Sequence, residues 1–399
     1  MTTKQKKIGY VNDDYRVWLR VIVNVGGRPL ALETKPGVFA HGAVDPASLL
    51  LAEHIRAGEG DVVVHLNCGN GLLGSALLTA GQAARVILAD RNVLAVEATS
   101  RTLDANGFSA GDVYFGHGRD ALPPDVMANI VAIRIPQEKL ALTQLLHHAF
   151  TILEPGGQCY VAGATNEGAK SAAQIMEGMF GNATTIATDS GHRLIRANRT
   201  SAPAGMPDPD DDGFAERAVV LRGVPYTFFA RPGVFSRDHV DEATQLLVEH
   251  MDVRERDRVL DLGCGYGVLG IVAGSTATQH AVTMLDVDSE AVRSAIRSAH
   301  AAGLGNARVL ASDVAAEVLD EQFDLVVTNP PFHIGKSTDL NVPIQFIHDA
   351  WTVLAPGGRL NLVANRTLPY EGAIKYLFRN ITKVHDGRRF KVLSAVKDG

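Results

Sequence analysis

The chain has 399 residues, which at about 150 residues per domain predicts two or three domains. Hydrophobic residues make up 46% and charged residues 21%, which excludes wholesale disorder. No apolar run reaches the roughly 18–20 residues that span a bilayer, and the net charge of −6 excludes a protein that binds nucleic acid over its whole surface.

The first residues of the sequence and the number of cysteines predict where in the cell the protein is found. The first seven residues are polar and contain no hydrophobic core of a signal peptide. The three cysteines, Cys68, Cys159 and Cys264, are odd in number and do not have the spacing of metal ligands. We therefore expect a cytoplasmic protein without a metal site.

An internal repeat divides the chain. The motif KPGVF at residues 35–39 recurs as RPGVF at 231–235, an offset of 196 residues. Residues 61–71 align with 257–267, and Asp90 with Asp286, at the same offset. This period is too long for a solenoid repeat. The sequence therefore predicts two copies of one domain, at residues 1–200 and 214–399.

The first copy is predicted to end in a β-hairpin of residues 183–188 and 194–198. The segment that follows, residues 201–213, contains three prolines and four aspartates and has no apolar periodicity. These features are typical of a solvated linker.

The second copy alternates short apolar runs with helical segments. We expect helices at residues 289–302 and 343–354, a final hairpin at 381–384 with 390–395, and strands at 258–262, 281–286, 309–311, 323–328 and 360–364. Such alternation predicts an α/β fold with a doubly wound, mostly parallel sheet. Ligands bind such sheets beyond the carboxyl ends of the strands, so the loops there are candidate sites.

A glycine-rich loop follows the first strand of the second copy. It reads Asp261-Leu-Gly263-Cys-Gly265-Tyr-Gly267, and Asp286 ends the next strand. Glycines let the backbone approach a ligand, and a carboxylate about 20 residues later can accept hydrogen bonds from ribose hydroxyls. A nucleotide site is predicted. Residues 265–270 also match G-x-G-x-x-G, so a dinucleotide dehydrogenase remains an alternative.

A second loop favours a different chemistry. The strand at 323–328 runs into Asn329-Pro330-Pro331-Phe332. The prolines hold the backbone extended, and the aromatic ring offers a stacking face. The Asn329 side-chain oxygen and the Pro330 carbonyl could accept the two hydrogens of a planar exocyclic amine and expose its lone pair to an electrophile.

These motifs, with Asp313, resemble those of class I S-adenosylmethionine-dependent methyltransferases of amino groups. The duplicated layout, Gly233-Val-Phe235-Ser and the loop 329–335 resemble the ribosomal RNA guanine-N2 methyltransferases. The resemblance implies two tandem Rossmann-like class I methyltransferase domains, each with a C-terminal antiparallel hairpin. It implies transfer of a methyl group from S-adenosylmethionine to guanine N2 in ribosomal RNA, with 16S rRNA favoured over 23S.

The resemblance also assigns roles to residues of the second copy. Gly263, Gly265 and Gly267 would pass under the methionine moiety, with Asp261 directed toward its ammonium group. Asp286 would bind the ribose hydroxyls, Asp313 the adenine amine, and Phe235 would form a wall of the pocket. Asn329 and Pro330, stiffened by Pro331, would hold the target amine, and Phe332 would stack on the base.

The first copy lacks this chemistry. His65 and Asn67 stand in place of Asp261 and Gly263, and Arg134, which has no hydrogen-bond acceptor, lies in the segment equivalent to the Asn-Pro-Pro-Phe loop. We expect a non-catalytic domain that serves either as a folding scaffold or as a platform for RNA. Arg134 is then either a solvated or ion-paired arginine or an RNA contact.

Partners and alternatives follow from the remaining features. Residues 354–399 contain nine basic and three acidic residues, a local excess that suits contact with ribosomal RNA or a ribosomal subunit. We expect a monomer with no membrane partner. Methylation of adenine N6 or of a protein glutamine, and a non-enzymatic role in RNA binding and assembly, remain alternative functions.

Overall fold

The computed structural model describes residues 15–81, 83, 85–109, 112–200, 213–331 and 340–398. The predicted linker therefore lies outside the described residues, except for Gly213. Two α/β domains follow one another along the chain, and each contains a seven-stranded sheet and a separate two-stranded hairpin. None of the helices in the described ranges has the length and apolar character needed to cross a membrane.

The first domain opens with a hairpin and continues with alternating strands and helices. Its elements are β1 (Leu19–Val25), β2 (Arg28–Thr34), α1 (Pro46–His54), β3 (Val62–His65), α2 (Leu72–Ala80), β4 (Arg85–Asp90), α3 (Val93–Ala105), β5 (Val113–Phe115), β6 (Ala128–Arg134), α4 (Lys139–Ile152), β7 (Leu153–Ala164), α5 (Ala169–Phe180), β8 (Thr184–Asp189) and β9 (His192–Asn198). The strand order of its sheet is β5-β4-β3-β6-β7-β9-β8, and only β9 runs antiparallel to both of its neighbours.

The second domain repeats this sequence of elements. They are β10 (Ala215–Leu221), β11 (Val224–Ala230), α6 (Glu242–His250), β12 (Val259–Leu262), α7 (Val268–Thr276), β13 (Thr283–Asp286), α8 (Ser289–Ala301), β14 (Arg308–Ala311), β15 (Phe323–Thr328), α9 (Asn341–Val353), β16 (Leu354–Asn365), α10 (Tyr370–Phe378), β17 (Thr382–Asp386) and β18 (Phe390–Val396). Its sheet has the equivalent order, β14-β13-β12-β15-β16-β18-β17. The predicted tandem α/β fold and both terminal hairpins are confirmed.

Apolar side chains cover both faces of each sheet. In the second domain one core lies between the sheet and α6, α7 and α8, and the other lies between the sheet and α9 and α10. The first domain has the equivalent pair of cores. The parallel strands are buried on both faces, and ligands bind such sheets in the crevice beyond the carboxyl ends of the strands.

The two domains are joined at equivalent loops. Asn92 follows β4, Asp288 follows β13, and these residues form an isolated antiparallel bridge. The backbone N–H of Val93 donates to the carbonyl of Val287 at 2.9 Å, and the N–H of Ser289 donates to the carbonyl of Arg91 at 2.8 Å. Since each partner corresponds to the other at the repeat offset of 196, the two domains meet around an approximate two-fold axis.

Candidate functional site

A cavity of about 690 Å³ lies at the carboxyl ends of β12, β13 and β15. Most of the predicted site residues line it, namely Phe235, Gly263, Gly265, Asp286, Asp313, Asn329, Pro330 and Pro331. Asp261 and Gly267 do not line it, and Phe332 lies outside the described residues. The loops that the sequence singled out therefore converge on one volume, as expected for a doubly wound sheet.

The glycine loop turns sharply between β12 and α7. Gly265 has φ of +55°, and a Cβ added there would meet no atom within 4 Å, so this backbone is open to a ligand. Gly267 has φ of +92°, and a Cβ there would lie 3.0 Å from Ile271 and 3.3 Å from Met284. Gly267 is therefore required for packing α7 against the sheet rather than for approach of a ligand.

Asp261 is buried beneath this loop. Its Oδ2 accepts a hydrogen bond of 2.7 Å from the backbone N–H of Gly270 in the first turn of α7. Its other oxygen, Oδ1, is buried without a partner, and burial raises the pKa of Asp261 to about 7. The role expected for Asp261, direct contact with a ligand ammonium group, is not evident from the cavity wall. Oδ1 of Asp261 is a buried acceptor that forms no hydrogen bond within the described structure, and a cationic partner would satisfy it.

Asp286 lies at the cavity wall at the end of β13. Its Oδ2 accepts from the N–H of Gly265 at 2.8 Å, and its Oδ1 accepts from the N–H of Asp288 at 3.1 Å. Burial, followed by the nearby charge of Asp288, raises the pKa of Asp286 to about 6. Each carboxylate oxygen keeps a lone pair, so Asp286 can also accept hydroxyl donors from a ligand.

Asp313 is held by the first domain, which the sequence did not reveal. The Tyr15 hydroxyl donates to Oδ1 of Asp313, and the Lys35 ammonium group pairs with Oδ2. The Lys35 nitrogen also lies 4.4 Å from the centre of the Tyr15 ring. Lys35 begins the repeated KPGVF motif, so the repeat could have marked Lys35 as a residue of interest. Nothing in the repeat indicated that Lys35 contacts the other domain.

Asn329 is oriented by the N-terminus of α6. Its amide nitrogen donates to Oδ2 of Asp241 at 3.3 Å and to Oγ1 of Thr244 at 3.1 Å. Asp241 also caps α6 by accepting from the N–H of Thr244 at 3.0 Å. With both amide hydrogens directed to α6, the side-chain oxygen of Asn329 is the group left to accept from a substrate.

Asp241 and Thr244 were missed by sequence reasoning. Both line the cavity. An Asp-x-x-Thr spacing before a helical segment is a capping signal, but it does not indicate which strand end the helix faces. Only the fold brings the start of α6 against the end of β15.

The first domain has an ion cluster at the equivalent place. Arg134, at the end of β6, is buried and pairs with Asp45 at 3.4 Å and with Glu167 at 2.8 Å. It also lies 4.4 Å from the ring centre of Phe39. Asp45 caps α1 through the N–H of Ser48 at 2.9 Å, as Asp241 caps α6. Of the two interpretations of Arg134, the ion-paired arginine is therefore correct.

The first glycine loop is also changed. Asn67 donates to the carbonyl of Arg134 at 2.5 Å and accepts from its N–H at 2.9 Å, so the loop is tied to the end of β6. His65 is fully enclosed, and burial lowers its pKa to about 4. A neutral imidazole thus stands where the second domain has a carboxylate. Asn67 replaces Gly263, where a Cβ would lie only 2.9 Å from the Phe346 ring.

Phenylalanines of the two repeated motifs lie at the same cavity. Phe235 and Phe39 both line it, although 62% and 41% of their surfaces are exposed. Phe235 therefore lies at the cavity but is largely exposed on the protein surface.

The C-terminal basic residues are less available than their number suggests. Lys391 is buried, with its nitrogen 2.7 Å from Oε1 of Glu371. Lys383 also pairs with Glu371, and Arg389 pairs with Glu242. The excess of basic residues is therefore partly used in ion pairs within the protein.

Comparison with known proteins agrees with the fold and the site. The family model for the methyltransferase small domain matches twice, at residues 29–196 and 225–394. Ribosomal RNA small subunit methyltransferase C of Hahella chejuensis is 33% identical over 277 residues, covering 69% of this chain and 80% of that protein. Ribosomal RNA large subunit methyltransferase G of Streptomyces avermitilis is 31% identical over 364 residues, covering 89% and 93%.

A solved structure extends the likeness to the whole architecture. The 16S rRNA N2 methyltransferase RsmC of T. thermophilus, in complex with AdoMet and guanosine, superimposes with a TM-score of 0.81. It is 27% identical, and the match covers 97% of this chain and 99% of that one. The resemblance inferred from the sequence motifs is confirmed. The chain belongs to the methyltransferase small domain family, as a tandem class I methyltransferase related to the rRNA enzymes named above.

Proposed function

We propose that the second domain transfers a methyl group from S-adenosylmethionine to N2 of a guanine in ribosomal RNA. The observation that carries this function is the orientation of Asn329. Its amide hydrogens are bound to Asp241 and Thr244, so its oxygen is presented as an acceptor at the cavity that Asp286 and the glycine loop also line. The rRNA substrates named for the relatives support the choice of acceptor.

The residues of the cavity fit the cofactor. Gly265 leaves its backbone open, Asp286 supplies two carboxylate oxygens for ribose hydroxyls, and Asp313 supplies an acceptor for the adenine amine. The unpaired Oδ1 of buried Asp261 fits a cationic amino acid moiety better than a neutral one. When bound, S-adenosylmethionine supplies an electrophilic methyl group on a sulfonium.

The protein contributes orientation rather than acid–base chemistry. The oxygen of Asn329 and the carbonyl of Pro330 accept the two hydrogens of the guanine amine, which turns the nitrogen lone pair out of conjugation with the base. With the cofactor bound, the amine nitrogen would form a bond to the methyl carbon as the bond between that carbon and sulfur breaks, which leaves S-adenosylhomocysteine, and the amine would lose one proton to water. Because no strong base is needed, fixing the amine in place supplies most of the rate enhancement.

The alternatives have less support. A dehydrogenase function would explain the glycine loop, but it would not explain why the amide of Asn329 is oriented at the end of β15. Adenine N6 offers the same kind of amine, but the solved relative contains guanosine. An assembly factor without activity would have no need of the oriented Asn329 or of Asp286 at the cavity. We place the reaction in the cytoplasm, where ribosomal RNA is available.

The choice between the two ribosomal RNAs rests on two observations. The RsmC structure matches nearly the whole chain, which favours 16S rRNA. The large subunit methyltransferase G of Streptomyces avermitilis covers 89% of the chain, whereas the small-subunit relative from Hahella chejuensis covers 69%, which keeps 23S rRNA as a second candidate. We favour 16S rRNA because the similarity to RsmC extends over both domains.

The test is a methylation assay with each RNA. Purified protein is incubated with methyl-labelled S-adenosylmethionine and 16S rRNA, 23S rRNA or the assembled subunits, and the labelled nucleotide is mapped by mass spectrometry. We expect one guanine in 16S rRNA or the small subunit to acquire the label. Label confined to 23S rRNA would support the second candidate, and label on neither RNA would contradict the function.

A further inference from the structure

The cofactor cavity is built by both domains. Every sequence motif for the cofactor lies in the second domain. Nevertheless, six of the described first-domain residues line the cavity: Tyr15, Gly37, Phe39, Asn92, Leu94 and Gln137. The first domain is therefore more than a covalently attached neighbour of the second domain, because it forms one wall of the cavity.

Tyr15 and Lys35 make the most specific contacts of this wall. Tyr15 is only 2% exposed and packs among core residues of the second domain, including Val314 and Ala315. Lys35 is 5% exposed, and its ammonium group lies between the Asp313 carboxylate and the Tyr15 ring. A lysine is almost never buried without a charged partner, so Lys35 and Asp313 depend on each other.

The two contacts fix the direction of Asp313. The Tyr15 hydroxyl donates to one carboxylate oxygen and the Lys35 ammonium group to the other, so rotation of the carboxylate breaks both interactions. Burial, and next the charge of Asp313, raise the pKa of Tyr15, so its hydroxyl keeps its proton and remains a donor. Both donors come from the domain that has lost its own catalytic residues.

The backbone on each side of Asp313 is held as well. The N–H of Ser312 donates to the carbonyl of Asp286 at 2.9 Å. The N–H of Ala315 donates to Asp349 at 3.3 Å, and Arg16, next to Tyr15, pairs with that same carboxylate at 3.1 Å. The segment from Tyr15 to Arg16 thus braces the Asp313 loop at two points.

We propose that Tyr15 and Lys35 are positioning residues for the cofactor, acting through Asp313 to select the adenine base. The inference rests on the proposed function, because it requires S-adenosylmethionine in this cavity. A carboxylate held in one direction accepts a hydrogen bond from an amine at one place only, and it offers no donor to an oxygen there. The pair therefore contributes discrimination between adenine and a base that carries a carbonyl at that position.

The test measures binding by calorimetry on the full-length protein. The ligands are S-adenosylhomocysteine and S-inosylhomocysteine, in which a carbonyl replaces the adenine amine. Wild type is expected to prefer the adenosine ligand by about 100-fold, because a carbonyl facing Asp313 is left unpaired. Tyr15→Phe and Lys35→Gln are each expected to weaken binding of the adenosine ligand about tenfold and to reduce the preference to about tenfold or less.

Two further variants separate positioning from a general structural role. Lys35→Arg should restore the preference, because the equivalent residue of the second motif is Arg231. Arg293→Gln removes an ion pair between the domains, in which Arg293 lies 2.6 Å from Asp120. Neither residue lines the cavity, so this variant should leave the affinities for both ligands unchanged. Thermal unfolding is followed for every variant, so that loss of folded protein is seen directly.

The outcomes distinguish the inference from the function on which it rests. Unchanged preference in folded Tyr15→Phe and Lys35→Gln would overturn the positioning role while leaving the proposed function intact. Equal loss of affinity for both ligands would show that the two contacts serve only the interface between the domains, and it would also overturn the positioning role. No binding of either S-adenosyl or S-inosyl ligand to wild type would contradict the proposed function itself.

Discussion

Asp90 and Asp286 occupy equivalent positions in the two domains, so a comparison of the two separates the structural role of this aspartate from a role in ligand binding. Each accepts two backbone hydrogen bonds, Asp90 from Gly69 at 2.9 Å and Asn92 at 2.9 Å, in the same arrangement as Asp286. Burial raises the pKa of both carboxyls to about 6. Only Asp286 lines the cavity, so the same substitution has similar structural effects at both positions but affects ligand binding at one.

This pair predicts a pH dependence of cofactor affinity. Ribose hydroxyls bind the ionised carboxylate of Asp286, so binding must remove the proton that the free protein holds below about pH 6. Affinity for S-adenosylhomocysteine should therefore rise about tenfold from about pH 5 to about pH 7.5. Calorimetry should show this rise in wild type and Asp90→Asn, and weaker binding with a smaller rise in Asp286→Asn, where burial still holds the pKa of Asp261 at about 7. Equal losses in both variants would mean that the first domain also binds the cofactor.

Orientation of the Asn329 amide gives a second prediction. Thr244→Val keeps the shape of the side chain and removes one acceptor of the amide hydrogens, so Asn329 can rotate its oxygen away from the substrate. We expect kcat to fall about tenfold with cofactor affinity unchanged, equivalent to loss of one hydrogen bond of about 1.4 kcal/mol. Steady-state kinetics check this, with Ser48→Ala at the equivalent first-domain position as control. An unchanged kcat in Thr244→Val would show that Asp241 alone holds the amide.

Most elements were predictable because their signals are local. The strands β12 to β15 are short apolar runs, and the structure places them within three residues of the predicted ends. The strand predicted at 360–364 is longer, since β16 begins at Leu354 and its register shifts along β15 between Phe323 and Leu325. The turn signal Pro356-Gly357-Gly358 lies inside β16 rather than before it, so the sequence places the start of this strand too late.

Other elements were missed although signals existed. The hairpins β1–β2 and β10–β11 turn at Gly26-Gly27 and Arg222-Gly223, and a two-residue turn with glycine between apolar runs is a hairpin signal. The tertiary contacts of the site had no such signal. Asp241 near Asn329, and Tyr15 near Asp313, are 88 and 298 residues apart, so only the assembled fold brings them together.

The same element, the N-terminus of a helix, is used differently in the two domains. The cap of α6 orients Asn329, whereas the cap of α1, Asp45, pairs with Arg134. Because Arg134 also pairs with Glu167, its loss removes an ion-pair partner from two largely buried carboxylates. The Arg134 cluster therefore has a structural role at the end of β6.

Arg134→Gln is accordingly predicted to destabilise the protein without weakening RNA binding. We expect the free energy of unfolding to fall by about 2 kcal/mol, less than for a fully dry pair because Glu167 keeps some contact with water. Urea unfolding measures this, and Arg85→Gln, which breaks an exposed pair with Asp112, should cost at most about 1 kcal/mol. Reduced RNA affinity with unchanged stability would instead assign Arg134 to the RNA.

At the scale of the whole molecule, duplication explains the arrangement of the site. The bridge between Asn92 and Asp288 places the loop after β4 against the loop after β13, which carries Asp286. Arg91 reinforces it by pairing with Asp288 at 2.6 Å and donating to the carbonyl of Pro232 at 3.0 Å. The first domain is therefore joined to the second at the loop that we propose to bind the cofactor, and this contact supports a function for the first domain beyond that of a folding scaffold.

Nucleoside analysis of ribosomal RNA treated with wild type and with Asn329→Ala tests the proposed reaction most directly. We expect N2-methylguanosine as the methylated product of wild type. We expect no product from Asn329→Ala, although this variant should bind S-adenosylhomocysteine with nearly wild-type affinity, since Asn329 is assigned to the acceptor amine and not to the cofactor. Another methylated nucleoside from wild type, or N2-methylguanosine formed by Asn329→Ala at the wild-type rate, would contradict the proposed reaction.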